Sequence, residues 1–301
     1  MIHLNTILYP TDFSACANQA LPHAMYLAEK YRARLILLNA VVLNHDFTAD
    51  GMPGLDNVFN QLKENAVVKM STNIKDHDFK DLDITKVFKR GFSAKEVLLD
   101  YIQENNIDLV VMGTHGRHVL EHVLLGSVAE EVIRVAKCPV LTIREEKAPK
   151  PIEKINNVLV PIDFSPHSEF ALKNALRIAK AYGANIQLLH VFEEISIPQF
   201  YNISEHINES TKAHGKKALS DLFGRIGDEG IVFSSHTIVG NNVPNEIFKF
   251  AKENDTDLIV IATHGLTALK HFFLGSVAQK VVRRAQCPVF TVKPFGKSLI
   301  D

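Results

Sequence analysis

Two glycines, Gly113 and Gly116, flank Thr114 and His115, and nine residues later Gly126 and Ser127 stand at the head of the amphipathic stretch VAEEVIRVA. Glycine lets a backbone turn sharply, or approach a ligand with no Cβ in the way. Gly126 and Ser127 add backbone amides, a hydroxyl and the positive end of a helix dipole, which together make an anion site. Arg117 supplies a candidate positive charge beside them. At ordinary glycine usage a G-x2-G-x9-G-[ST] pattern arises by chance in a chain of this length about one time in a hundred. Its near-repetition through Gly265, Gly275 and Ser276 argues against chance.

Other candidate groups are weaker. Asp12, in YPTDFS, and Asp163, in VPIDFS, close apolar runs. An aspartate there can cap the next helix, but Ser14 competes better for that task and leaves Asp12 to meet a ligand. His115, His118 and His122 have a spacing that would share one helical face, as a zinc site requires. No carboxylate or cysteine completes the set, and the second half keeps only His264 and His271, so no metal site is expected. Gly296-Lys297-Ser298 imitates the end of a P-loop without its earlier glycine or following helix. The chain contains no G-x-S-x-G, no H-E-x-x-H and no paired acidic constellation. These residues suit gripping a ligand, not transforming one, and the protein is expected not to be an enzyme.

A repeated frame must position these groups. ILYPTDFS (7–14) aligns with VLVPIDFS (158–165), and VVMGTHG (110–116) with IVIATHG (259–265). LLGSVAEEVIRVAKCPVLTI (124–143) likewise aligns with FLGSVAQKVVRRAQCPVFTV (273–292). A period of ~150 residues marks whole domains and not solenoid units. Two domains are expected, at 1–146 and 153–295, joined by the charged, proline-bearing REEKAPKPIEK (144–154). In the first copy, strand-like runs near 6–11, 34–42, 82–90, 107–113 and 139–144 alternate with stretches such as 14–32 and 93–106 that have helical periodicity. Strands apolar on both faces and joined by helices predict a parallel sheet covered on both sides. The expected fold class is α/β: two repeated doubly wound domains, each a Rossmann-like five-stranded parallel sheet in the order 3-2-1-4-5. That order sets the ends of strands 1 and 4 side by side at the reversal, where open sheets bind ligands.

The G-x2-G-x9-G-[ST] loop, together with a strand 1 ending in PTDFS, resembles the universal stress proteins. The order YPTDFS, LLNAVV, VVMGTHG, LLGSVAEEVI and KCPVLTI is similar to one such domain, and the second copy is similar to another. The likeness spans practically the whole chain and implies an adenine nucleotide alpha hydrolase-type sheet. It also implies bound ATP, ADP or AMP, with or without Mg. Carried over residue by residue, it sets Asp12 and Ala40 against adenosine and Gly113, Gly116, Gly126, Ser127 and Val128 along the phosphates. Pro10, Thr11, Met112 and His115 join them at the same strand ends, with Arg117 just beyond. The second-copy counterparts are Asp163, Val191, Gly265, Gly275, Ser276 and Val277. That copy has Ala262 at the first glycine, where a Cβ costs little if φ is negative but could crowd a ligand or forbid a left-handed turn, and Leu266 in place of Arg117. Its site is therefore expected to bind more weakly or not at all.

Lys plus Arg (33) nearly cancels Asp plus Glu (34), so no broad field draws nucleic acid or an anionic membrane. The apolar runs fall short of the ~18 residues of a span. The start, MIHLNTILYPTD, lacks a signal-peptide pattern. Cys16, Cys138 and Cys287, odd in number and widely spaced, fit a reducing compartment. A cytoplasmic location is expected. The resemblance further implies pairing through strand 5, within the chain as a pseudo-dimer (138–144 with 287–293) or between chains as a homodimer. The expected function is that of an ATP- or adenine-nucleotide-binding stress-response protein. The alternatives are a slow ATPase or nucleotidyl-transfer enzyme on the same fold, and a scaffold with vestigial sites.

Overall fold

The computed structural model describes residues 2–42, 55–75, 77, 82–116, 125–146, 154–193, 204–227, 230–265 and 274–298. The chain forms two compact units, built around His3–Glu153 and Lys154–Pro294. In the first unit, strand and helix alternate throughout: β1 (Thr6–Pro10), α1 (Ala15–Tyr31), β2 (Arg34–Val42), α2 (Leu55–Lys75), β3 (Ile84–Gly91), α3 (Ala94–Glu104), β4 (Leu109–Gly113), α4 (Ser127–Val135) and β5 (Val140–Ile143). Its strands are all parallel and run in the order β3-β2-β1-β4-β5.

Composition explains the layering. Every residue of β4 is buried, as a central strand covered by helices requires, and so is every residue of β5. β3, carrying Lys86, Lys89 and Arg90, is half-exposed along its length. Such basic side chains on an outer strand discourage pairing with foreign edges. Ile7, Leu8, Leu35, Leu38, Leu109 and Val110 form the middle of the core. Ser14 starts α1 by accepting the Ala17 amide at 3.2 Å, and Arg32 ends it in a left-handed conformation at φ 53°.

The sheet parts at its centre. β1 pairs with β4 through Ile7–Leu109 and Leu8–Val110. Beyond that point β1 stays with β2 as far as Pro10 opposite Leu38, while β4 stays with β5 as far as Gly113 opposite Ile143. Pro10 has no N–H to continue a ladder. A cleft therefore opens between the carboxyl ends of β1 and β4, at the reversal of strand order.

The second unit repeats this plan with β6 (Asn157–Pro161), α5 (Pro166–Tyr182), β7 (Asn185–Glu193), α6 (Ser204–Ile226), β8 (Phe233–Gly240), α7 (Val243–Glu253), β9 (Leu258–Ala262), α8 (Ser276–Arg284) and β10 (Val289–Val292). Its parallel order is β8-β7-β6-β9-β10. The β6–β9 ladder again runs through Val158–Leu258 and Leu159–Ile259 while both strands continue beyond it. Gly183 closes α5 at φ 67°, in the place Arg32 takes at the end of α1. No helix among the described residues is long and apolar enough to cross a membrane.

Candidate functional site

The corner after β1 is tightly specified. Thr11 donates its amide to the Leu38 carbonyl at 2.9 Å, accepts Asn39 Nδ2 at its carbonyl at 2.8 Å and accepts the Phe13 amide at its hydroxyl oxygen at 3.0 Å. It is buried, and it holds the corner with groups that a ligand would otherwise use. Phe13 follows with φ 63°, a left-handed conformation that costs a bulky residue roughly 1–2 kcal/mol. That bend lets Asp12 Oδ1 accept the Ser14 amide at 3.0 Å. Beneath it Tyr9 donates its hydroxyl to the Ala17 carbonyl at 2.8 Å, and burial pushes that phenol well above its usual pKa.

Opposite Asp12 stands the glycine loop. A Cβ on Gly116 would run into Asp12 Oδ2, so the carboxylate lies directly against the loop backbone. A Cβ on Gly113 would come 2.8 Å from Cys16 Sγ and 3.1 Å from the Ala17 amide nitrogen, so this glycine lets α1 close onto β4. A Cβ on Gly126 would sit 3.2 Å from the His115 Cα. None of the three has a positive φ. Close approach, not a left-handed turn, is what requires glycine here.

This geometry changes the meaning of Ala262. A Cβ at the first glycine position points toward the helix after strand 1, not toward the ligand side, and the backbone there is not left-handed. Ala262 itself lies buried at the end of β9. Of the two readings of Ala262, the one with little cost at a negative φ applies: its Cβ fills packing space.

The start of α4 carries no side-chain cap. Gly126 spends its own amide on the Thr114 carbonyl at 2.8 Å, which fixes the helix tip against the loop. α4 then begins at Ser127, with Gly126 as N-cap and no side-chain cap. The first-turn amides, at Ser127, Val128 and Ala129, have no carbonyl within the helix to bond. By contrast Ser14 caps α1, Ser165 caps α5 and Asn242 caps α7 through side-chain oxygens. Ser127 is exposed and Val128 half-buried.

His115 bridges this loop to β5. Its Nδ1 lies 3.1 Å from Thr114 Oγ1 and its Nε2 lies 3.3 Å from Glu145 Oε2. A carboxylate only accepts, so the Glu145 contact calls for a proton on His115 Nε2, while the Thr114 hydroxyl suits either role of Nδ1. Met112 and Pro10 are buried, and Ala40 is half-buried near the carboxyl end of β2. Arg117, His118 and His122 lie outside the described residues, as do Leu266 and His271. Among the described residues no group of three or more His, Cys, Asp and Glu is arranged to hold a metal.

The second corner keeps the frame with different contents. Phe164 has φ 60°. Asp163 Oδ1 accepts from the Ser165 amide at 3.0 Å and from the Ser165 hydroxyl at 2.6 Å. A Cβ on Gly265 would come 2.5 Å from Asp163 Oδ2. Gly275 gives its amide to the Thr263 carbonyl at 2.8 Å, and α8 begins at Ser276 with no side-chain cap. Val277 is half-buried in its first turn. His190, just before Val191 on β7, takes the place of Asn39 and meets the Ile162 carbonyl through Nδ1 at 2.6 Å. Its ring packs against Phe164 and Phe192, with centroids 4.7 Å and 4.3 Å away.

Sequence reasoning missed Asn39, Glu145 and the strained Phe13. The equivalence of Asn39 and His190, both polar in otherwise apolar strands, was the available signal for the first. It also missed a cleft of about 460 Å³ on the outer side of α4, lined by Ser93, Ala94, Lys95, Ser127, Val128, Glu130, Glu131 and Arg134. Neither Asp12 nor Gly113 is among these residues, so this space adjoins the helix tip from the other side.

Comparison with known proteins bears on the family and the fold. The universal stress protein family model matches residues 3–144 and again 154–293. Universal stress protein MJ0531 of Methanocaldococcus jannaschii is 35% identical over 142 residues, 45% of this chain and 81% of that one. Universal stress protein YxiE of Bacillus subtilis is 34% identical over 148 residues, 46% of this chain and 99% of its own. Among solved structures, a universal stress protein from Archaeoglobus fulgidus DSM 4304 aligns with 97% of this chain and 99% of its own, at a TM-score of 0.66. At 21% identity that likeness is one of fold.

Proposed function

Because this chain belongs to the universal stress protein family along both repeats, we propose that it is a stress-response protein binding an adenine nucleotide at the carboxyl ends of β1 and β4. The observation that carries this reading is the convergence, at the cleft between those strands, of the Asp12 carboxylate and the uncapped first turn of α4. A polyphosphate needs donors and a positive field, and a helix tip with free amides provides both. Asp12 and Ala40 hold the nucleoside, and Gly116, Ser127 and Val128 follow the phosphates. Pro10, Thr11, Met112 and Gly113 shape the floor from below. Mg enters as the companion ion of a triphosphate.

The protein acts as a binding module and not as an enzyme: the bound nucleotide stabilises the fold by mass action and alters what the chain contacts. The first site is the stronger, because Arg117 is replaced by Leu266 in the second repeat. The three cysteines, none of them in a disulfide, fit a cytoplasmic home.

The test begins with the purified chain, denatured, and its released small molecules identified by mass spectrometry. Titration with ATP, ADP and AMP should then give one tight site per chain, lost in Gly126→Val. Two equal tight sites would overturn the ranking, and no adenylate binding at millimolar supply would overturn the function. Steady-state phosphate release above the Gly126→Val background would move the protein into the ATPase class.

A further inference from the structure

The contact between His115 and Glu145 lies on the phosphate side of the proposed site and carries a consequence for ligand choice. His115 Cα is 3.2 Å from where a Cβ on Gly126 would stand, so the imidazole springs from beside the α4 tip. Its Nε2 lies 3.3 Å from Glu145 Oε2, and its Nδ1 lies 3.1 Å from Thr114 Oγ1. Glu145 lies just past the end of β5, and its neighbour is anchored. Gln19 gives Nε2 to the Glu146 carbonyl at 2.8 Å and accepts the Glu146 amide at 2.9 Å. The second repeat keeps the Thr263–His264 contact at 2.8 Å but has Pro294 at the place of Glu145.

We propose that Glu145 is a specificity-determining residue of the first site: its carboxylate takes the His115 donor that a phosphate tail would otherwise use, so the site discriminates among adenine ligands by tail charge. This inference rests on the reading of that site as an adenine-nucleotide site. Two anions cannot share one imidazole proton, and like charges a few ångströms apart repel. Binding ATP therefore requires Glu145 to leave His115, whereas binding adenosine does not. A ligand that competes with an internal contact is weakened by the free energy of that contact, and it releases whatever the contact held. What is released is the Glu145 side chain, just past the end of β5.

The experiment is calorimetric titration of the full chain and of Glu145→Gln with adenosine, AMP and ATP. The amide keeps the shape and an acceptor oxygen but removes the charge. ATP should bind the variant tighter by on the order of tenfold, the scale of one charge-assisted hydrogen bond. Adenosine should stay within about twofold, and AMP should fall between. In the wild-type chain, ATP but not adenosine should shift the His115 imidazole 15N resonances. Unchanged ATP affinity in the variant, or equal gains for adenosine and ATP, would overturn the proposal while leaving the nucleotide site standing. A wild-type chain that takes neither ligand would remove the underlying site instead. If Glu145→Gln fails to fold, the imidazole shifts of the wild-type protein decide the matter alone, and equal shifts with adenosine and ATP would refute it.

Discussion

Asp12 Oδ2 occupies the space where a side chain on Gly116 would begin, and Asp163 stands in the same relation to Gly265, at 2.5 Å from the position of the missing Cβ. The second glycine of the loop is thus explained by a carboxylate, not by a turn.

Gly116→Ala should push Asp12 out of the cleft and weaken ATP binding to the first repeat at least tenfold. The added Cβ should cost about 1–3 kcal/mol of stability, in the range of overpacked sites. Adding Asp12→Ala should recover most of that stability without recovering affinity. Urea denaturation and calorimetry on the single and double variants measure both. Wild-type affinity in Gly116→Ala would contradict the site.

The two serine caps should differ. Ser14→Ala should cost about 1 kcal/mol, the usual loss of an N-cap. Ser165→Ala should cost more, because its hydroxyl also donates to Asp163 at 2.6 Å. Equal denaturation midpoints for the two variants would show that the Ser165–Asp163 bond contributes nothing.

Acid should destabilise the first repeat through His23. Its ring is buried in α1, Nδ1 has no hydrogen-bond partner, and burial lowers its pKa from 6.5 to about 4. The unfolded chain takes up this proton near pH 6.5 and the folded chain does so only near 4, so stability falls as pH drops between those values. The span of about 2.5 units, at 1.36 kcal/mol per unit, corresponds to a loss of about 3 kcal/mol. His23→Leu should flatten this limb in urea midpoints measured from pH 7 to 4. An unchanged slope would show that His23 is not its source.

Arg32 ends α1 at φ 53°, where the second repeat has Gly183 at φ 67°. Arg32→Gly should raise stability by about 1 kcal/mol, the cost a side chain pays in the left-handed region. Calorimetric melting checks it, and a lowered Tm would mean that the arginine side chain contributes more than its backbone costs.

Much of this was legible beforehand because it rests on periodicity and repetition. Alternating apolar runs gave the strands, the duplicated blocks gave two α/β repeats, and strand order led to the cleft holding Asp12 and Gly126. Roles inside the cleft were less legible, because they depend on which atoms face each other. Gly113 reads as a ligand glycine, yet it serves α1 packing, and Ala262 reads as damage but fills space. Glu145 lies in a charged run that reads as linker; only the fold brings it to His115. Phe13 carries no sign of its left-handed bend, since the type of residue there is among the least suited to it.

That bend appears in both halves, at Phe13 and Phe164, although glycine would have relieved it in either. What glycine could not supply is the ring. Lys69 on α2 lies 5.6 Å from the centre of the Phe13 ring, and His190 on β7 packs against that of Phe164. Each repeat thus tolerates a cramped hinge to keep a bracket there, and the bracket ties the rim of the cleft to an element that supplies none of its donors. The rim of the cleft is thus braced by a lysine of α2 in the first repeat and by a ring stack on β7 in the second.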